Sequence, residues 1–224
     1  NFNMMIMVIY ALITIAIFSM WYYARYEGNF LPSPKKTFNP MMLAAIVILV
    51  PGTQFAANFI ANLTGYIRPD WLQQYNELFE TSGITDTTFV TVLYSVILAP
   101  ICEELIFRGV TMRCARKALP FALANLMQAA LFGLFHLNWI QGIYAFALGI
   151  VLGYVCECGG SIYYSIGLHL LFNLWGTLSG FFPDPGNSVV VSVIVIAVTI
   201  VSLTAGFVLF NKGRRKLPIN STGI

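Results

Sequence analysis

Seven apolar stretches, each near the length one helix needs to cross a bilayer, govern what this chain can fold into. They occupy residues 4–23, 41–62, 89–107, 121–137, 139–155, 162–182 and 189–210. A hydrocarbon core of about 30 Å takes about 20 helical residues, and every backbone N–H and C=O inside it must be bonded within the protein. The stretches are unbroken, without the ~10-residue alternating segments of a membrane barrel, so an all-α, polytopic transmembrane helix bundle of about seven spans is expected. Composition agrees: of 224 residues, 58% are hydrophobic and 9% charged, against about 25% charged in a soluble domain. Disorder and a disulfide scaffold are excluded on the same grounds. Residues 1–224 read as a single integral membrane domain.

The net charge of +3 belongs to topology and not to nucleic acid. Arg25, Lys35 and Lys36 follow the first stretch, Arg113, Arg116 and Lys117 follow the third, and Lys212, Arg214, Arg215 and Lys216 follow the seventh. With the N-terminus outside and the C-terminus cytoplasmic, all ten fall on the cytoplasmic side of a multi-pass protein of the cell membrane. Arg68 alone falls in an outer loop, and Arg108 lies at the inner edge of the third span. No basic stretch precedes the first apolar run, so a cleavable signal peptide is not expected.

The outer segment 64–88 contains an amphipathic pattern. Pro69 can open a helix in which Trp71, Leu72, Tyr75, Leu78 and Phe79 share one face and Gln73, Gln74, Asn76, Glu77 and Glu80 the other. This predicts an interfacial helix, either a linker laid against the membrane or a gate over the substrate path. Cys102, Cys114, Cys156 and Cys158 form no C-x-x-C pair and read as small fillers or free thiols. Gly149 and Gly153 form one G-x-x-x-G, which close helix packing explains.

Ionisable groups inside spans carry the functional signal, because a charge at the bilayer centre costs at least about 2.5–3.5 kcal/mol. The third span ends Ala99-Pro100-Ile101-Cys102-Glu103-Glu104-Leu105-Ile106-Phe107-Arg108. The fourth carries Phe132 and His136, the sixth His169 and Asn173. At about 100° per residue Arg108 stands about 40° from Glu104 and about 140° from Glu103, so Glu104 can pair with the guanidinium while Glu103 stays free. A free, partly buried carboxylate suits a general base that takes a proton from water. Pro100 removes one backbone bond and can open the helix. Each element alone is also explained by helix packing; together they supply a base, two imidazoles and an amide, the parts for activating water and binding an oxyanion.

The set E-E-x-x-x-R, F-x-x-x-H and H-x-x-x-N, in that order on separate helices, resembles the CPBP family of intramembrane proteases, also called the Abi or CAAX-protease family. The resemblance covers about residues 89–182. It implies peptide-bond hydrolysis in the membrane on a membrane-associated peptide or protein substrate. It also implies that Glu103 and His136 hold and activate the water, that His169 and Asn173 stabilise the oxyanion, and that Glu104, Arg108 and Phe132 support them. Glu103, His136 and His169 would be the ligands if the enzyme used zinc. H-E-x-x-H is absent, and a glutamate-type mechanism with no cofactor is favoured. The readings kept beside it are a non-catalytic membrane binding or immunity protein, and a proton-coupled transporter.

One expectation is awkward. Glu103 lies about 15 Å along the helix from Arg113, whereas His136 lies about 28 Å from Lys117. Straight vertical helices would not bring the two together, so residues 109–120 should be embedded or the fourth span strongly tilted.

Overall fold

The computed structural model describes residues 2–26, 38–82, 88–179 and 188–214. Among them are eight helices and no strand: α1 Phe2–Tyr26, α2 Pro40–Ile67, α3 Pro69–Ser82, α4 Phe89–Ala115, α5 Phe121–Phe135, α6 Trp139–Gly159, α7 Ile162–Ser179 and α8 Val189–Arg214. Five of them, α1, α2, α4, α6 and α8, are long and apolar enough to cross a membrane. The chain is therefore a multi-pass membrane protein of all-helical fold. The fourth predicted span becomes α5, whose 15 residues rise only about 22 Å. The sixth becomes α7, 18 residues long and bearing His169 and Asn173; neither reaches the measure of the other five. Lys35, Lys36, Arg215, Lys216 and residues 180–182 lie outside the described residues.

Local signals set the ends. Asn39 accepts the Met41 N–H at 2.9 Å and starts α2, and Thr88 accepts the Thr91 N–H at 3.2 Å and starts α4. Leu137 turns the chain after α5 with a φ of 53°, and Asn138 then caps α6 through the Gln141 N–H at 3.1 Å. Gly160, at φ 65°, closes α6 in the left-handed conformation that glycine adopts without cost.

Two tight antiparallel pairs organise the bundle. In the α2/α8 pair, Ser202 of α8 inserts into the backbone of α2 beside Pro51. Its hydroxyl donates to Ile48 O and accepts the Gly52 N–H at 2.8 Å. A side chain in the ladder next to a proline bends a helix. In the α5/α6 pair a Cβ on Gly149 would stand 3.1 Å from the Ala129 backbone, and one on Gly153 would overlap Asn125 Oδ1. The G-x-x-x-G therefore works as the packing surface the sequence suggests. Helices α2, α6 and α7 share the main core around Leu49, Ala145, Leu152, Tyr164 and Leu168, while α4 runs between α1, α5 and α7.

The amphipathic segment is helical from Pro69, as expected, and α3 docks on α2 and α6. Trp71 stacks on Trp139 with centroids 5.3 Å apart, and Leu72 fills the space over Gly65. Arg68 donates twice to Asp70, at 2.9 and 2.7 Å, and holds its carboxyl below the usual carboxylate range. Phe79's side chain lies outside the described residues. The four cysteines are free thiols, Cys102 and Cys156 buried, Cys114 exposed and Cys158 half-buried.

Candidate active site

The third span runs past its predicted end at Phe107 to Ala115, because Arg108 is accommodated inside the protein and not at its edge. Depth is then counted from the short turn at residues 116–120. Glu103 stands 12 residues before Ala115 and His136 stands 15 after Phe121, about 18 and 22 Å along their helices. That near-equality resolves the depth mismatch expected from the sequence without a strongly tilted fourth span.

Two π-helical segments, Leu93–Leu98 and Leu105–Met112, bracket the glutamates. Such turns widen the helix and release carbonyls from the regular ladder. At the end of the first, the Ala99 N–H donates to Tyr94 O, not to Ser95 O. The next residue that could serve Ser95 O is Pro100, which has no N–H. Ser95 O instead accepts Asn173 Nδ2 of α7 at 2.8 Å.

Glu104 and Arg108 are fully buried. Arg108 Nη1 donates to Glu104 Oε1 at 2.8 Å, and His169 Nδ1 meets the same oxygen at 2.9 Å. Arg108 Nη2 donates to Gly149 O at 3.2 Å, and the guanidinium lies 4.4 Å over the Phe132 ring. Gln128 Nε2 adds a second donor to Gly149 O at 2.9 Å and meets Asn125 Oδ1 at 2.7 Å. Neither amide figures in the sequence motifs, although two amides three residues apart in an apolar helix were a visible signal. The i,i+4 logic that pairs Glu104 with Arg108, one helical turn apart, and leaves Glu103 aside is what the structure shows.

Glu103 keeps 15% of its side chain exposed and has no Arg or Lys within 4 Å among the described residues. Its Oε2 lies 3.7 Å from His169 Nε2. His169 thus stands between the carboxylates, Nδ1 toward Glu104 and Nε2 toward Glu103. His136 is placed by Phe132: its Nδ1 meets Phe132 O at 2.8 Å and its ring sits edge-on, 4.9 Å from the phenyl centroid. Phe132 also stands 5.8 Å from the His169 ring. The structure therefore gathers Glu103, Glu104, Arg108, Phe132 and His169 directly, joins His136 through Phe132, and ties Asn173 to the helix that bears the glutamates. His136 forms no ion pair within 4 Å with either glutamate. Among the described residues no three His, Cys, Asp or Glu side chains are gathered in a way that could hold a metal.

Residues 85–175 match the family model described as type II CAAX prenyl endopeptidase Rce1-like. All seven motif residues lie within that segment, and the match agrees with the resemblance to the CPBP (Abi/CAAX-protease) family carried by those motifs. No curated protein and no solved structure matches the chain at the level an assignment requires.

Proposed function

We propose that the protein is an intramembrane endopeptidase of the cell membrane, N-terminus outside, that hydrolyses membrane-associated or lipidated, CAAX-like peptides. What supports this most is the division between adjacent carboxylates. Glu104 is buried against Arg108 and His169, while Glu103 keeps an exposed edge and has no Arg or Lys within 4 Å among the described residues. A carboxylate left free beside a compensated one is available as a base.

In the proposed reaction, Glu103 and His136 hold a water. Glu103 takes one of its protons as the oxygen bonds to the scissile carbonyl carbon, and the carbonyl π pair moves onto oxygen. His169, doubly protonated with Nδ1–H held by Glu104, donates its Nε2–H to that oxyanion, beside the Asn173 N–H not spent on Ser95. The intermediate collapses, the C–N bond breaks, and the amine leaves with the proton from Glu103. Glu104 and Arg108 hold His169, and Phe132 orients both imidazoles. The proposed mechanism needs no metal.

The test is cleavage of a quenched, membrane-anchored peptide library by the purified protein, wild type beside Glu103→Gln, with and without a strong chelator. Cleavage that survives the chelator and is lost in the variant supports the glutamate mechanism. Cleavage lost to the chelator and restored by zinc replaces it with a metalloprotease. Equal turnover by wild type and variant removes Glu103 from the mechanism.

A further inference from the structure

An apolar groove and a pair of cations meet at the end of the bundle where α5 begins and α8 stops. Because α8 packs along α2, a groove of about 580 Å³ opens between it and the α5/α6 pair. Ala122 and Asn125 of α5, Val151 and Tyr154 of α6, and Phe207 and Asn211 of α8 line it. Ala122 is exposed, so the groove opens sideways, toward the space a bilayer fills. Asn125 stands 11 residues before His136, about 16 Å along α5, which separates the groove from the catalytic cleft.

The polar groups in the walls are already bonded to one another. Tyr154 donates to Asn211 Oδ1 at 2.7 Å, and Asn211 Nδ2 donates to Phe207 O at 3.0 Å. Asn125 Nδ2 donates to Ile150 O at 3.0 Å, and its Oδ1 accepts Gln128 Nε2 at 2.7 Å. The surface left to an occupant is apolar, with the Tyr154 and Phe207 rings edge-to-face at 5.5 Å. An empty groove would deprive that lining of dispersion contacts on one side. In a membrane the neighbour at hand is an acyl chain.

The rim is cationic. Arg214 reaches from α8 to α6 and meets Cys158 Sγ at 3.4 Å. Cys158 lies four residues after Tyr154, on the same face of α6, so the guanidinium closes one end of the groove, and its charge acts on the Tyr154 hydroxyl. A sulfur is a weak acceptor and engages one of five guanidinium N–H groups. Lys212 is exposed beside Asn211. Neither cation has a carboxylate within 4 Å among the described residues; Glu157, the described acid at this end, is held by Arg116 at 3.0 Å. A neutral lipid would fill the groove and leave both cations unanswered. A symmetric pair of chains joined through this face would bring like charges to one depth.

We propose that the groove binds one anionic phospholipid of the surrounding bilayer, an acyl chain lying along Ala122, Val151 and Phe207 and the phosphate meeting Arg214 and Lys212. Basic pockets between membrane helices hold lipid head groups in this way. The site uses no residue of the protease reading and stands apart from it.

The purified protein in detergent is incubated with phosphatidylglycerol or phosphatidylcholine of identical acyl chains, and lipid retained per chain is read by native mass spectrometry. We expect one phosphatidylglycerol per chain, held about 25-fold more tightly than phosphatidylcholine. Arg214→Gln and Lys212→Gln should each cut that preference about fivefold, the scale of one basic side chain at a charged surface. Arg68→Gln removes the same charge at the opposite end of α2, whose start bonds Gly213 O through Asn39, and should leave the preference unchanged. Ala122→Phe, at an exposed position, should fill the groove and weaken retention of both lipids without lowering the melting temperature. Glycerol phosphate, the head-group chemistry without chains, should not compete at equal concentration. Equal retention of the two lipids, a preference that Arg68→Gln lowers as much as Arg214→Gln, or full retention after Ala122→Phe overturns the proposal. Displacement by glycerol phosphate makes the groove a soluble-anion site and overturns it too, as does a dimer that Ala122→Phe splits, which gives the groove to a second copy.

Discussion

Arg108→Met tests the buried centre most directly. The guanidinium compensates Glu104, bonds Gly149 O and covers Phe132, all without solvent contact. Methionine keeps most of the volume and removes the charge, leaving the Glu104 carboxylate with His169 alone. Removing one partner from a buried pair costs about 3–5 kcal/mol, because the remaining charge is stranded. At about 2–4 °C per kcal/mol for a chain of this size, the melting temperature in detergent should fall by roughly 6–20 °C. Glu104→Gln/Arg108→Met removes both charges and should recover most of that loss, since replacing a whole buried pair is often close to neutral. Glu103→Gln, one residue away and partly exposed, should shift melting by no more than a degree or two. Thermal melts of the four proteins in one detergent decide it. An unchanged melting temperature for Arg108→Met, or a double variant as unstable as the single one, would refute the stranded-charge account.

Gly153→Ala places a methyl on Asn125 Oδ1 at the α5/α6 contact, and overpacking of that kind costs about 1–3 kcal/mol. It should lower the melting temperature and, by shifting the helix that carries Phe132 and His136, lower turnover as well; wild-type values of both would dismiss the contact. If Glu103 works as the ionised base, activity must fall on the acid side as its carboxylate is protonated. A pH profile flat into strongly acidic buffer would remove that role.

How much was legible in the sequence follows from which forces act locally. Apolar length places all seven predicted spans on helices, and starts at Phe89, Phe121, Trp139, Ile162 and Val189 coincide with the residues proposed. The ends drift where a polar group is buried instead of exposed, as when Arg108 carries α4 on to Ala115. The Glu104–Arg108 pair was readable because i,i+4 geometry is set within one helix. His169 between the two carboxylates was not, because it depends on how α7 docks against α4.

Pro100 shows how a single backbone defect reaches the site. An ordinary helix would spend the Ala99 N–H on Ser95 O, and Asn173 would then have to share that carbonyl with it. Here that N–H goes to Tyr94 and Pro100 offers none in its place, so Ser95 O is open to Asn173 Nδ2 at 2.8 Å. The proline is thereby tied to the proposed oxyanion donor on another helix. Pro100→Ala supplies the missing N–H, lets the π turn relax, and competes with Asn173 for the carbonyl. Helix propensity alone favours alanine over proline by up to about 3 kcal/mol, so the variant should melt no lower than wild type. Turnover should nevertheless fall about 10²-fold, the scale of a donor displaced by about 1 Å. In the Pro100→Ala background, Asn173→Ala should then cost much less than it does alone, since its amide has already lost its anchor. Full turnover after Pro100→Ala, with the Asn173→Ala penalty undiminished, would mean that the Ser95–Asn173 bond is only helix packing and that the π turn has no part in the chemistry.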